Sequence, residues 1–256
     1  MDKERSWDKL LQIKTVGRDD TNSDEYRYPY EPTPYCVLER LVDYGLVGEK
    51  DVVLDYGCGK GRVGFFLSYR TRAASIGIEY DEHIYREALE NRSTVISRVK
   101  PEFVHTRAEA YPVPENASRC YFFNPFSVEI LHKVMARILE SYYAEPRDIY
   151  LFFYYPSEEY IAYLMTVDEL EFYDEIECDD LFPGYDERER ILIFLLPQCR
   201  SVQVQRQHAA ADRKGHGGSR GHMEPAKKRI ANIHIRNKPR RWNRDDHEPT
   251  PGFLCQ

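Results

Sequence analysis

The chain has 256 residues, 42% of them hydrophobic and including 20 Tyr and 12 Phe, enough for one large domain with a sizeable core plus an appendage. No window nears the roughly 18 consecutive apolar residues of a membrane span, and the opening MDKERSWDKL lacks a signal-peptide core, so the expectation is a cytoplasmic protein with no membrane partner. The net charge of −7 is uneven: residues 1–199 hold 23 Lys+Arg against 38 Asp+Glu (−15), and 200–256 hold 13 against 5 (+8).

Residues 1–33 read as a polar, Tyr-rich cap, with WDKLLQIK as a short helix. Thr33 is an expected N-cap and Pro34 suits a first helical turn, which predicts a helix over 34–44. Its apolar Val37, Leu38, Leu41 and Val42 share one face, and Gly45 ends it. Beyond it, short apolar runs begin at Asp51, Ala73, Glu102, Arg119, Asp148, Glu169 and Arg190, with helical patterns between most of them. This alternation over 34–199 predicts an α/β domain, a mostly parallel seven-strand sheet covered by helices on both faces. The last two runs are joined by DDLFPGYDERE, too short for a crossover helix, so they should pair antiparallel.

Past Pro197 the periodicity stops. Residues 200–256 are basic and rich in Gly, His, Arg and Pro, and read as a disordered tail. Such a tail is the one part of the chain suited to nucleic acid, through salt-sensitive phosphate contacts; the plainer reading gives it no structural part. The six scattered cysteines form no CxxC pair and no zinc spacing, which fits free thiols in a reducing compartment, and no metal is expected.

The most informative stretch is VLDYGCGKGRVG, from Val53 to Gly64. Glycines between a strand and a helix allow positive φ and close approach of a ligand to the backbone. Gly59 to Gly64 spell GxGxxG, and Glu79 lies twenty residues beyond Gly59, as in a dinucleotide site. The placement argues against that reading, because a dinucleotide loop starts at once after its strand, and a carboxylate at Asp55 is a poor neighbour for a pyrophosphate.

Read from Asp55 through Gly61, DYGCGKG resembles the first motif of the class I S-adenosylmethionine-dependent methyltransferases. The resemblance runs over about 30–196 as a succession of elements and is absent from the tail. It implies a Rossmann-like sheet ordered 3-2-1-4-5-7-6 and S-adenosyl-L-methionine as cofactor. Asp55, Gly57, Cys58, Gly59 and Gly61 then hold the methionyl part, the carboxylate facing its ammonium. Glu79, ending IGIE, accepts from both ribose hydroxyls, and Tyr80 packs on the adenine. In HTRAEAYPVP, Arg107 stands where the family carries an acid, so Glu109 is the expected adenine contact.

Asn124-Pro125-Phe126-Ser127 is similar to the NPPY-type motif of nitrogen methyltransferases, with Phe126 in place of the second Pro and Ser127 in the aromatic place. The resemblance implies that the Asn124 side chain and the Pro125 carbonyl accept from the target NH₂, with Phe126 as the stacking ring. Methyl transfer needs orientation more than a separate base; His105 and His132 are the possible bases, each better explained as structural or exposed. The segment YRYPYEPTPY, with Tyr30 and Thr33, resembles segments that fold over the cofactor in seven-strand protein-lysine methyltransferases. The expected acceptor is a nitrogen of a protein side chain or small amine. The alternatives are an RNA or DNA base, an NAD-dependent oxidoreductase, and a cofactor-binding partner subunit without activity.

Overall fold

A computed structural model describes residues 3–18, 28 and 30–198, and the expectations for 200–256 lie outside them. The element order is α1 (Lys3–Leu11), α2 (Tyr35–Tyr44), β1 (Val52–Tyr56), α3 (Arg62–Thr71), β2 (Ala74–Glu79), α4 (Glu82–Thr94), β3 (Glu102–His105), β4 (Arg119–Phe122), α5 (Val128–Ala144), β5 (Ile149–Tyr154), α6 (Glu158–Leu164), β6 (Glu171–Glu177) and β7 (Arg190–Leu196). The strands form one sheet in the order β3-β2-β1-β4-β5-β7-β6. The first five are parallel, and β7 runs antiparallel to both β5 and β6, as the short connection before it requires.

Strand periodicity divides the core between the two faces. Val53 and Phe152 pack with Leu38, Phe65 and Phe66 of α2 and α3. Their neighbours Leu54 and Phe153 pack with Leu131, Met135 and Tyr160 of α5 and α6. Both faces are therefore covered, and the central strands can be apolar throughout.

One local expectation fails because another strand claims the side chain. Thr33 does not cap α2; Pro34 is the N-cap residue (φ −58°, ψ 139°), and the Thr33 hydroxyl pairs with that of Tyr121 at 3.1 Å. Gly45 does end α2, in the left-handed region at φ 85°. α4 ends at Thr94, just before the β-branched Val95 and Ile96, and the Ile96 N–H donates to the Leu11 carbonyl.

The N-terminal cap is ordered by buried charge. Asp8 accepts from the Thr15 N–H (2.5 Å), the Thr15 hydroxyl (2.6 Å) and the Tyr35 hydroxyl (2.6 Å). Arg62, 2% exposed at the start of α3, donates to Thr15 Oγ1 (2.7 Å), the Thr33 carbonyl (3.1 Å) and Glu4, and lies over the Tyr35 ring. One guanidinium thus fixes α1 and the Thr15 and Thr33 segments against the helix that follows the glycine loop. The short helix expected at WDKLLQIK is present as α1 but starts earlier, at Lys3; the sequence did not reveal the partners that hold it, which are remote in the chain. Among the described residues no helix is long and apolar enough to cross a membrane, and Cys36, Cys58, Cys120 and Cys178 are buried thiols outside any disulfide.

Candidate active site

The strand order reverses between β1 and β4, and ligands of open α/β sheets bind beyond the carboxyl ends at that point. A cavity of about 480 Å³ lies there, lined by Tyr30, Thr33, Asp55, Gly57, Cys58, Gly59, Glu79, Tyr80, Glu109, Asn124, Pro125 and Phe126. Every site residue expected from sequence is on that wall except Gly61. Gly61 is the N-cap of α3 at φ 88°, and a Cβ there would sit 2.5 Å from Phe103 Cζ; this glycine serves packing beneath the loop, not the cavity.

The loop is folded by its own backbone. The Gly57 and Cys58 N–H groups donate to the Ile78 carbonyl at 2.9 and 3.1 Å, laying the turn across the end of β2. Gly57 (φ 72°) must lack a side chain, since a Cβ would lie 2.5 Å from Pro125 Cβ; the glycine loop and the Asn124-Pro125 turn are in contact. Gly59 (φ 56°) faces the Tyr30 ring, into which a Cβ would be driven. Tyr30 therefore does not stand off as a cover over a ligand. Its hydroxyl donates to the Thr15 carbonyl at 2.6 Å and its ring rests on the loop.

Two carboxylates at this end differ sharply. Glu79 accepts from the Tyr80 and Asp81 N–H groups on Oε1 (2.8 Å each) and from Gly59 N–H on Oε2 (2.9 Å). Burial raises its pKa while those amides lower it. Asp81 is occupied as the N-cap of α4. Asp55 is 3% exposed, and its Oδ2 is buried without a hydrogen-bond partner. Burial first, and the charge of Glu79 second, push its pKa up to about 8. A buried carboxylate this poorly compensated calls for a cation. Cys58 beside it is buried, with burial pushing its thiol well up, so it is a packing residue and not a nucleophile.

At the other end, Asn124 sits at φ 42°, and its Oδ1 is buried without a partner. Asn tolerates this left-handed backbone better than most residues, and the conformation holds the side-chain acceptor at the carboxyl end of β4. The Pro125 carbonyl already accepts from the Tyr28 N–H at 3.3 Å, so only its second lone pair is open to a target amine. Phe126 is 4% exposed, edge-on to Phe122, with its carbonyl held by the Tyr160 hydroxyl at 2.6 Å. It packs into the core where it meets the cavity, so little of its ring is open for stacking. His105 bonds the Tyr80 carbonyl (2.9 Å) and stacks on Tyr85, and His132 lies against Tyr163; neither lines the cavity.

Sequence reasoning missed a mostly aromatic part of the wall: Tyr121, Phe123, Tyr154, Tyr155, Phe182 and Glu189. The Tyr154 hydroxyl donates to Glu189 Oε2 at 2.6 Å, and Tyr155, at φ 50°, donates to Asp186 at 2.7 Å. The available signal was the pair of tyrosines ending the apolar run LFFYY, which reads as strand but places its last ring at the cavity mouth.

No protein-family model matches the chain. A protein-lysine N-methyltransferase from Saccharolobus islandicus (strain REY15A) is 37% identical over 65 residues, 25% of this chain and 40% of that protein, so the chain matches well under half the length of this relative. Among solved structures, the putative methyltransferase yhhF from Escherichia coli is similar with a TM-score of 0.53 at 14% identity, covering 73% of this chain and 98% of that one. An RNA methyltransferase from Salinibacter ruber, in complex with S-adenosyl-L-homocysteine, gives 0.45 at 17% identity, over 66% and 95%.

Proposed function

We propose that this chain, which carries the class I methyltransferase fold, is an S-adenosyl-L-methionine-dependent methyltransferase acting on a nitrogen of a protein side chain or small amine. The observation that carries the reading is Asp55: a buried carboxylate with an unpartnered oxygen, on the wall of a cavity that two left-handed loop glycines, Gly57 and Gly59, also line. The ammonium of the cofactor's methionyl group is the counter-ion that this carboxylate lacks. Glu79 suits the ribose hydroxyls, one of them on the lone pair that Oε2 retains beside the Gly59 amide. Tyr80 and Glu109 suit the adenine end. When bound, the cofactor supplies an activated methyl group on a sulfonium, so the chain itself has only to present a lone pair in line and keep water away.

Asn124 carries that second duty. Its Oδ1 accepts a hydrogen from the acceptor nitrogen and turns the lone pair inward, and the Pro125 carbonyl adds a second, weaker hold while Tyr28 shares it. The partial relative's name, a protein-lysine N-methyltransferase, supports an amine acceptor. The burial of Phe126 disfavours the base reading, since little of the motif's ring is open to stack on a nucleobase. The −15 balance of residues 1–199 opposes a nucleic-acid duplex and leaves the basic segment after it as the one plausible contact.

The experiment is methyl transfer from labelled cofactor by the full chain to three acceptor pools: a lysine-rich protein, simple alkylamines, and RNA. Label in the first or second, reduced at least about tenfold by Asn124→Ala, is the expected result. Label in RNA alone, or transfer indifferent to Asn124, would overturn the amine assignment.

A further inference from the structure

The aromatic wall left out of the cofactor assignment has a composition of its own. Phe123 and Tyr154 lie with ring centroids 4.7 Å apart, Phe123 and Tyr155 at 6.5 Å and edge-on, and Phe182 completes the patch from the β6–β7 connection. Within it stands one carboxylate, Glu189, half-buried, whose Oε2 is held by the Tyr154 hydroxyl and whose Oε1 is left for a second donor. The cavity as a whole is lined by six carboxylates against two guanidiniums, and one of those two, Arg62, is committed to Glu4 and Thr15. Ring faces carry negative potential, and they attract a cation most strongly where water is excluded.

We infer that Phe123, Tyr154, Tyr155, Phe182 and Glu189 form the acceptor subsite for an alkylammonium group of the lysine type, with the rings around its methylenes and Glu189 as its counter-ion, the carboxylate taking the proton that the ammonium must release before its lone pair can attack the methyl group. This inference rests on the cofactor reading above and names the substrate class for that same site. A neutral planar base finds neither feature useful: it has no charge for Glu189, and Tyr155 already carries the Arg188 guanidinium, 4.4 Å from the ring centroid, over one face. That arrangement also orients the subsite. Arg188 takes one face of the Tyr155 ring and leaves the other to the cation. A free alkylamine and a lysine within a protein share this chemistry.

The test uses the full chain saturated with S-adenosyl-L-homocysteine and titrated calorimetrically with Nε-trimethyllysine, a fixed cation that accepts no further methyl. The same residue within a short peptide, its neutral tert-butyl isostere and adenosine are titrated in parallel. The trimethylated cation is expected to bind at least about tenfold tighter than the neutral isostere. Glu189→Gln and Tyr155→Leu should each weaken the cation several-fold while leaving the affinity for S-adenosyl-L-homocysteine within twofold. Tighter binding of the peptide form identifies a protein substrate, and equal binding a small amine; both support the subsite. Equal affinity for cation and isostere, indifference to both variants, or preference for adenosine would overturn it. Failure of the wild-type chain to bind S-adenosyl-L-homocysteine at all would instead reject the cofactor reading, which is recorded separately.

Discussion

Beyond β1 and β2 the cavity wall is largely main chain: glycines in left-handed turns, amides spent on the Ile78 carbonyl and on Glu79, and one buried carboxylate without a partner. Beyond β4 and β5 it is rings, with Asn124 and Tyr155 both held at positive φ. The first end can fit one shape, because a backbone cradle has no rotamers to change. The second selects by charge and surface, and its side chains leave room for different acceptors. The contrast teaches which half a mutation should reach.

The largest expected effect sharpens this contrast from behind the loop. Arg62→Met leaves Glu4 and Asp8 facing each other without their shared cation, and should cost about 3–5 kcal/mol of stability in urea denaturation. A change below about 1 kcal/mol would show that the N-terminal cap is not tied to the loop in this way.

Asp55 gives the next effect, and it is pH-dependent. Its folded pKa, about 8, lies above its ordinary value of 3.8, so between these pH values the folded chain holds a proton that the unfolded chain has lost. This contribution is fully present below pH 4 and is lost as pH rises through about 8. Asp55→Asn should match wild type in cofactor-free stability near pH 4 and exceed it by several kcal/mol at about pH 8 to 9. Parallel stability curves for the two proteins would contradict the burial argument. In the wild type, cofactor binding at pH 7 should release roughly one proton, read as a dependence of calorimetric heat on buffer ionisation.

Gly59→Ala adds about 1–2 kcal/mol of left-handed backbone strain and displaces the Tyr30 ring; it should lower both the denaturation midpoint and cofactor affinity. If stability falls while affinity does not, the loop end is less rigid than described. The smallest effect belongs to the junction of the two halves. Tyr121→Phe removes the partner of the Thr33 hydroxyl and should cost about 1 kcal/mol with cofactor affinity intact.

The same contrast explains what was legible in the sequence. The seven-strand order and the glycine-loop end of the cavity could be anticipated because they depend on local features: a run of glycines after VLD, an acid ending IGIE, and a connection before the last strand too short to cross the sheet. What escaped depends on residues far apart in the chain. Thr33 looks like an N-cap by its neighbours, yet its hydroxyl belongs to Tyr121, 88 positions away. Phe126 looks like a stacking ring by its motif, yet β4 delivers it into the core against Phe122. Glu189 is one of three acids in DERE and only the fold sets it beside Tyr154. Arg62 offered no signal, because a charged residue opening a helix is ordinarily exposed.

The most direct test is calorimetric titration of the full chain with S-adenosyl-L-methionine and, separately, NAD⁺, each repeated on Asp55→Ala. The account predicts that wild type binds the first and not the second, and that Asp55→Ala loses about a hundredfold in affinity or more, since a charge-assisted contact in a buried site disappears. Binding of NAD⁺ in preference, or S-adenosyl-L-methionine affinity unchanged by the loss of Asp55, would contradict the assignment of the glycine loop and of the sites built on it.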